Sequence, residues 1–428
     1  LTLRPVAEIR DPVHGYVKMT EVERDLVDSP FVQRLRRVHQ LAGSYLVYPG
    51  AVHTRFEHSV GAMHVAGQIA ESLTGASYMD ADQTQETRIA ALLHDVGHGP
   101  FSHMFEEVLA EKSDIVHEDI SQRIIRETSV GDVLEKHGFS RRKMSAFAVG
   151  KDGSRQPYMN EIISGGLSAD MMDYLPRDSY FTGVEYGKVD VQRVVDSLHV
   201  ADGHLVIDDA ALYAFEALLL ARYEMFKAVY FHRTVRAAEL MLVQSMELAD
   251  DSLGLTDLSD LDRYLDLTDE VVLQKLATLD ASTKRLREAR RLALDFRDRR
   301  LVKCVFERLV QRRDRMVGRL FADEKARKRA AYGLSKSAAT DPMHIYLDVP
   351  TTPSVPDTYS KEALTSVRLF RAEGKKKVMK EVPLGELPLL GSIAGFMDML
   401  RVYTTPEKRQ AVQKAAAELF KNRQLTAD

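Results

Sequence analysis

This 428-residue sequence predicts a mainly α-helical protein with a small C-terminal α+β lobe. Three observations carry that prediction. Apolar residues recur at helical spacing through most of residues 20–330, and helix-start signals stand at the head of several of those runs. From about residue 341 the pattern changes to short alternating segments set between Pro- and Gly-containing turns. In chain order, residues 57–73 are apolar at helical spacing, with Thr54 and Glu57 as a capping box ahead of them. Residues 82–95 read as the next helix, with Asp82 and Gln85 as its cap pair. Helices follow at 117–127 and 168–180, the latter predicted to bend at Pro176. Residues 197–208 predict a hairpin turning at Asp202-Gly203, and the longest helical run extends from 209 to about 248. Residues 256–330 add further helices and many arginines. Residues 343–349 alternate as a strand and lead into a Pro/Thr-rich connection at 350–356. Residues 367–372 and 377–382 pair across Glu373-Gly374-Lys375, 399–403 add a strand, and Thr405-Pro406-Glu407 opens a final helix. We therefore expect a catalytic body over 1–335, with its metal-site core within about 50–235, and a lobe over 336–428.

Composition narrows the class. Hydrophobic content of 45% with 29% charge is that of a globular chain able to bury a large core. A net charge of −4 supplies no basic field, so nucleic acid is not an expected partner, and an anionic substrate must be met by local cations. Cys304 is the only cysteine, which excludes internal disulfides and a thiolate metal site. No apolar stretch reaches the roughly 18 residues that span a bilayer, and no secretory leader is visible, so a cytoplasmic location without membrane contact is expected.

The chemistry concentrates at His94-Asp95, where an amphipathic helix is stopped by glycines and a proline and two more histidines, His98 and His103, follow. Imidazole nitrogens and a carboxylate on a helix-stiffened backbone suit a divalent metal that activates water. Around this dipeptide a series of segments occurs in order: Asp11-Pro-Val-His-Gly15, Gln33-Arg-Leu-Arg36, His53-Thr-Arg-Phe-Glu-His58, His94-Asp-Val-Gly-His-Gly-Pro-Phe-Ser-His103, His117-Glu118 and Asp170-Met-Met-Asp-Tyr-Leu-Pro-Arg-Asp178.

The series resembles the HD-domain phosphohydrolases and, within them, the deoxynucleoside triphosphate triphosphohydrolases of the branch containing the human HD-domain dNTPase and its bacterial relatives. The resemblance covers roughly residues 8–235 and implies an HD-domain helical bundle. It implies His58, His94, Asp95 and Asp170 as ligands of a divalent metal (Mn, Fe, Zn, Ni or Mg), with Asp173, one turn away on a similar face, as the alternative to Asp170. It makes His98, His103, Glu106 and His117 the active-site groups. His117 with Glu106 is expected to handle the proton, while His98 and His103 contact phosphate or the nucleophilic water. Glu106 stands where the human relative has aspartate.

For substrate, the resemblance implies Arg55 on the α-phosphate and Arg222 on the outer phosphates. Gln40 and Asp178 meet the 3′-hydroxyl, Leu41 lies under the sugar, Tyr174 beside the nucleotide, and Tyr230 crowds the 2′-carbon against ribose. Met171 replaces a phosphate-binding lysine, which predicts weaker phosphate binding or compensation by Arg177 or His232. Asp28, Gln33, Arg36 and Arg193 match a site for an activator of GTP or dGTP type. There, Ala7-Glu8 takes the place of a phosphate-binding lysine. The alternative for Asp28 and Arg36 is a salt bridge within their own segment. The family forms homo-oligomers, so a dimer or tetramer is expected. The implied reaction releases deoxynucleoside and inorganic triphosphate. The competing readings are another HD phosphohydrolase or phosphodiesterase acting on a different nucleotide, and a non-catalytic protein that senses nucleotides or binds nucleic acid.

Overall fold

In a computed structural model, residues 3–310, 324–349, 366–373, 376–383, 386–387 and 398–420 are described. The chain opens with a hairpin, β1 (Ala7–Asp11) against β2 (Gly15–Met19), followed by α1 (Glu21–Val27) and α2 (Pro30–Arg34). The body is then built on two packed helices, α3 (Arg55–Gly75) and α4 (Ala81–Leu93). Thr54 and Glu57 form the expected capping box on α3, the Thr54 N–H donating to the Glu57 carboxylate at 3.0 Å. The cap of α4 is Asp80 with Gln83, not Asp82 with Gln85. Met79 is buried just ahead of Asp80 and fixes the entry of the chain, while the Gln85 amide is spent on Glu23 at 2.7 Å.

Short helices α5 (His103–Ala110), α6 (His117–Glu127), α7 (Ser129–Lys136), α8 (Arg141–Ala148) and α9 (Pro157–Ile163) wrap this pair. Helix α10 (Ala169–Thr182), with Pro176 inside it, lies against α3. After α11 (Val191–Val195) comes the predicted hairpin, β3 (Leu198–Ala201) and β4 (His204–Asp208), turning at Asp202-Gly203.

The long run expected over 209–248 is not one helix. It divides into α12 (Leu212–Met225), a single π turn at Phe226–Tyr230, and α13 (Arg233–Leu253). The His232 ring accepts the Thr234 N–H at 3.2 Å and caps the restart. Helices α14 (Leu261–Leu265), α15 (Asp269–Ala277) and α16 (Lys284–Arg297) complete the body.

A second correction follows at β5 (Lys303–Val310), in a region expected to be helical. Its period-two signal is broken by a bulge between Cys304 and Phe306. β5 pairs antiparallel with β9 (Asp398–Thr404), which also carries β6 (Ile345–Asp348), giving the order β5-β9-β6. Helices α17 (Glu324–Ser337) and α18 (Arg409–Phe420) cover this sheet over a small core of Val305, Leu334, Ile345, Leu400, Val402 and Val412. The expected hairpin is present as β7 (Ser366–Glu373) and β8 (Lys376–Pro383). It also joins β4 of the body in parallel, through Ile207–Leu369 and Asp208–Phe370. The 350–356 connection and the turn residues 374–375 lie outside the described residues. The architecture is mainly α with a small β-containing lobe, and among the described residues no helix is long and apolar enough to cross a membrane.

Candidate metal centre and its pocket

The first turn of α3, the end of α4 and the first turn of α10 bring four donors to one point. His58 Nε2 lies 3.3 Å from His94 Nε2, 3.5 Å from Asp95 Oδ2 and 3.1 Å from Asp170 Oδ1. His94 Nε2 lies 3.3 Å from Asp95 Oδ1 and 3.8 Å from Asp170 Oδ1. Adjacent donors each about 2.1 Å from a shared cation stand roughly 3.0–3.5 Å apart, so this set fits a divalent ion. The ring atoms that face away are already fixed. His58 Nδ1 meets Asp173 at 2.8 Å and His94 Nδ1 meets the Ala91 carbonyl at 2.7 Å, which leaves Nε2 as the donor on both rings. Burial opposes a charge on His58, yet Asp170, Asp173 and Asp95 together raise it to about 10. The acids around this ring call for a positive charge, proton or metal.

Geometry also separates Asp170 from Asp173. Asp173 is fully buried and spent on His14, His58 and both arms of Arg177, which in turn reaches Asp11 at 2.8 Å. Asp173 therefore orients the His58 ring, and Asp170 is the carboxylate at the donor point. This close crossing of α3 and α10 depends on Gly61. A Cβ there would stand 1.9 Å from Asp173 Oδ1 and 2.2 Å from an Arg177 nitrogen. Gly61→Ala should cost about 1–3 kcal/mol through overpacking, read as a lowered melting temperature, and should weaken metal retention by displacing Asp173.

A second group sits beside the first. The rings of His98 and His117 stack 3.8 Å apart, and His103 stands edge-on to His98 at 5.0 Å. Glu106 holds both neighbours, one carboxylate oxygen on His103 Nδ1 at 2.8 Å and the other on the backbone and ring of His117. Burial would depress the His117 imidazolium, but Glu106 outweighs it and the pKa rises to about 9. Glu106 itself is held well below its usual range, because His117 and His103 outweigh its burial. Burial, Arg55 and His117 push His98 well down, so it is a neutral ring beside a charged one.

Both groups open on one cavity of about 330 Å³. Gln40, Leu41, Arg55, Tyr174, Asp178, Arg222 and Tyr230 all line it, together with His94, Asp95, Asp170, His98, His103 and His117. Arg55 is engaged by Asp95 at 2.5 Å and by Ser102 at 2.9 Å. Arg222 bonds the Tyr174 hydroxyl and lies 4.8 Å over the Phe226 ring. The Tyr230 hydroxyl donates to Asp178 at 2.7 Å, and His53 reaches the other Asp178 oxygen at 2.7 Å. The Gln40 side-chain oxygen is buried with no hydrogen-bond partner among the described residues. Met171 also lines the cavity, whereas Arg177 and His232 do not, so neither stands in for the absent lysine.

The residues expected at an activator site are only partly gathered. Arg36 bonds Gln33 at 3.0 Å and covers the Phe56 ring at 3.5 Å, so no Asp28–Arg36 salt bridge forms. Asp28 caps the end of α1. Arg193 lies on α11, and among the described residues no hydrogen bond or ion pair joins it to the other three. Sequence reading weighed Asp173 only as an alternative ligand and missed its bond to His58 and Arg177, whose signal was the four-residue spacing to Arg177, and it passed over His53 although that residue stands in a quoted motif.

Comparison with known proteins agrees with this geometry. The model of the HD domain matches residues 55–178, and that of the HD associated region matches residues 189–427. An uncharacterised protein of Methanocaldococcus jannaschii is 38% identical over 260 residues, 59% of this chain and 52% of its own. An uncharacterised protein of Bacillus subtilis is 37% identical over 243 residues, 56% of this chain and 55% of its own. The deoxynucleoside triphosphate triphosphohydrolase SAMHD1 homolog of Dictyostelium discoideum is 30% identical over 319 residues, 71% of this chain and 60% of its own. The chain thus spans a little over half the length of these relatives. Among solved structures, a hypothetical protein from Aquifex aeolicus superposes with a TM-score of 0.76 at 29% identity, covering 96% of this chain and 99% of its own. A phosphohydrolase from Bacteroides thetaiotaomicron gives 0.72 at 24% identity over 93% and 99%, a likeness of fold.

Proposed function

Because this chain belongs to the HD-domain family, we propose that it hydrolyses deoxynucleoside triphosphates to deoxynucleoside and inorganic triphosphate. The observation that carries this reading is the shared cavity, lined both by His94, Asp95 and Asp170 of the donor set and by the Tyr230–Asp178 pair. His58, His94, Asp95 and Asp170 would hold a divalent ion, which would supply activation of water and charge screening at the phosphate. Arg55 and Arg222, which both line the cavity, supply the fixed cations that a chain of net charge −4 lacks overall. Tyr174 orients Arg222. His117, protonated through Glu106, gives its Nε2 proton to the departing sugar oxygen. Asp178 accepts the single proton of a 3′-hydroxyl, the Gln40 amide donates to the same hydroxyl's oxygen, and Leu41 packs under the ring. Tyr230, fixed by Asp178, leaves no room or partner for a 2′-hydroxyl, which costs ribose a few kcal/mol, on the order of 1–3. The Gln33–Arg36 pair is the surface proposed to take a guanine nucleotide as activator, in a homo-oligomer.

The test is a product assay. The Mn²⁺-loaded protein is given each dNTP and NTP, with and without GTP or dGTP, and the products are separated by ion exchange. Deoxynucleoside with intact triphosphate is the expected outcome, with ribonucleotides spared. Release of phosphate or pyrophosphate, or no turnover by metal-loaded protein, would remove the proposal.

A further inference from the structure

Arg34 and Arg177 are the two largest side chains wholly withdrawn from solvent, and they are buried in opposite ways. Arg177 lies between Asp173 and Asp11. Arg34 forms no ion pair with any carboxylate among the described residues, an expensive arrangement for a buried charge. It spends its donors on backbone instead. Nη1 reaches the His98 carbonyl at 2.7 Å, while Nε and Nη2 reach the Leu267 carbonyl at 3.0 and 2.6 Å. The guanidinium also lies 4.6 Å over the ring of Tyr264, which is itself fully buried and donates its hydroxyl to the Gly97 carbonyl at 2.7 Å.

Two consecutive carbonyls of the loop between Asp95 and His103 are therefore gripped from outside that loop. The same loop carries strain. Phe101 and Ser102 hold φ of +59° and +56°, in the left-handed region that non-glycine residues enter at a cost. A third grip lies there, the Phe101 N–H donating to Asp269 at 2.6 Å, while Asp269 also holds His39. On its inner side the loop is pressed against α6: a Cβ on Gly97 would stand 2.3 Å from the His117 carbonyl. Strained backbone of this kind persists only where its surroundings over-determine it.

We infer that Arg34 and Tyr264 are positioning residues for the reaction in this pocket. By holding the His98 and Gly97 carbonyls they set the His98 ring against His117 and the Asp95 carboxylate. Neither side chain lines the cavity. The inference requires that the pocket be catalytic, whatever the nucleotide.

Tyr264→Phe deletes one hydroxyl and keeps the ring. Arg34→Met keeps the volume and removes both carbonyl grips. Each metal-loaded full-length variant is compared with wild type for metal content, for kcat and KM, and for hydrogen exchange of peptides covering 96–104 and 204–225. Exchange should quicken over 96–104 alone, with metal content unchanged. kcat should fall about ten- to a hundredfold with KM within about twofold, the scale of a small misplacement of a catalytic group. Wild-type exchange in the loop overturns the inference, as does quickening spread evenly along the chain. A loosened loop with unchanged kcat overturns it too. Should wild type turn over no nucleotide, the substrate reading fails and the exchange comparison still decides whether the brace exists.

Discussion

Asp95→Ala should leave a protein without bound metal and with turnover reduced by about ten-thousandfold or more, the scale for one member of an interdependent catalytic unit. The expectation follows from where its two oxygens point. Oδ1 faces His94 and His98 at 3.3 and 3.4 Å, and Oδ2 faces His58 at 3.5 Å and Arg55 at 2.5 Å. One carboxylate thus joins both imidazole ligands, the neutral ring beside them and the cation on the cavity wall. Its loss also leaves buried Arg55 with Ser102 but without its counter-charge, which costs about 3–5 kcal/mol and would by itself lower the melting temperature. Asp170→Ala separates the two effects. Its side chain is 40% exposed and, among the described residues, pairs with the two histidines alone, so stability should hold while metal and turnover are lost. Chelation of wild type followed by Mn²⁺ addition should restore activity, and the same treatment of either variant should not. An Asp170→Ala protein that binds metal as wild type does would show that Asp173, not Asp170, completes the set.

What could be read in advance was whatever lay within one helix or one motif. The donors come from two helix starts and a helix end, each inside a single motif, so the resemblance already implied His58, His94 and Asp95. The Asp170 or Asp173 choice stayed open because both lie on α10 a turn apart. What separates them is tertiary: Asp173 is consumed by His14, His58 and Arg177, and Arg177 is shared with the distant Asp11. Similarly, the π turn at Phe226–Tyr230 is invisible in a run that is apolar throughout, yet it comes immediately before the helix break and carries Tyr230 to Asp178. β5 was lost to its bulge, and the parallel β4–β7 pairing joins segments more than 150 residues apart in sequence, beyond any local pattern. Arg34 offered a signal that went unread: an arginine flanked by Phe31, Val32 and Leu35 faces a core, and a buried guanidinium must find acceptors.

The second large effect concerns the proton. His117 owes its pKa of about 9 to Glu106, which outweighs the opposing effect of burial. If His117 is the general acid, its competent form is the imidazolium, present below that value and lost as pH rises through it. Wild-type kcat should therefore hold across neutral pH and decline with an apparent pKa near 9. Removing the carboxylate charge in Glu106→Gln leaves burial in command, so the His117 pKa should drop below its ordinary 6.5. The basic limb should then move to below pH 7, and kcat at pH 8 should fall while metal content is kept. His117→Gln should lose about a hundred- to ten-thousandfold in kcat, the usual contribution of a positioned acid, with no basic limb left to titrate. The same linkage acts on stability with a definite sign. A histidine whose folded pKa is raised stabilises the fold fully below its unfolded value and loses that contribution as pH rises through the folded one. Wild type should accordingly lose stability between about pH 6.5 and 9 relative to Glu106→Gln, measured by denaturant midpoints across that range. A Glu106→Gln enzyme with the wild-type pH profile would remove His117 from the proton-donating role and pass it to His103, the other ring that Glu106 holds.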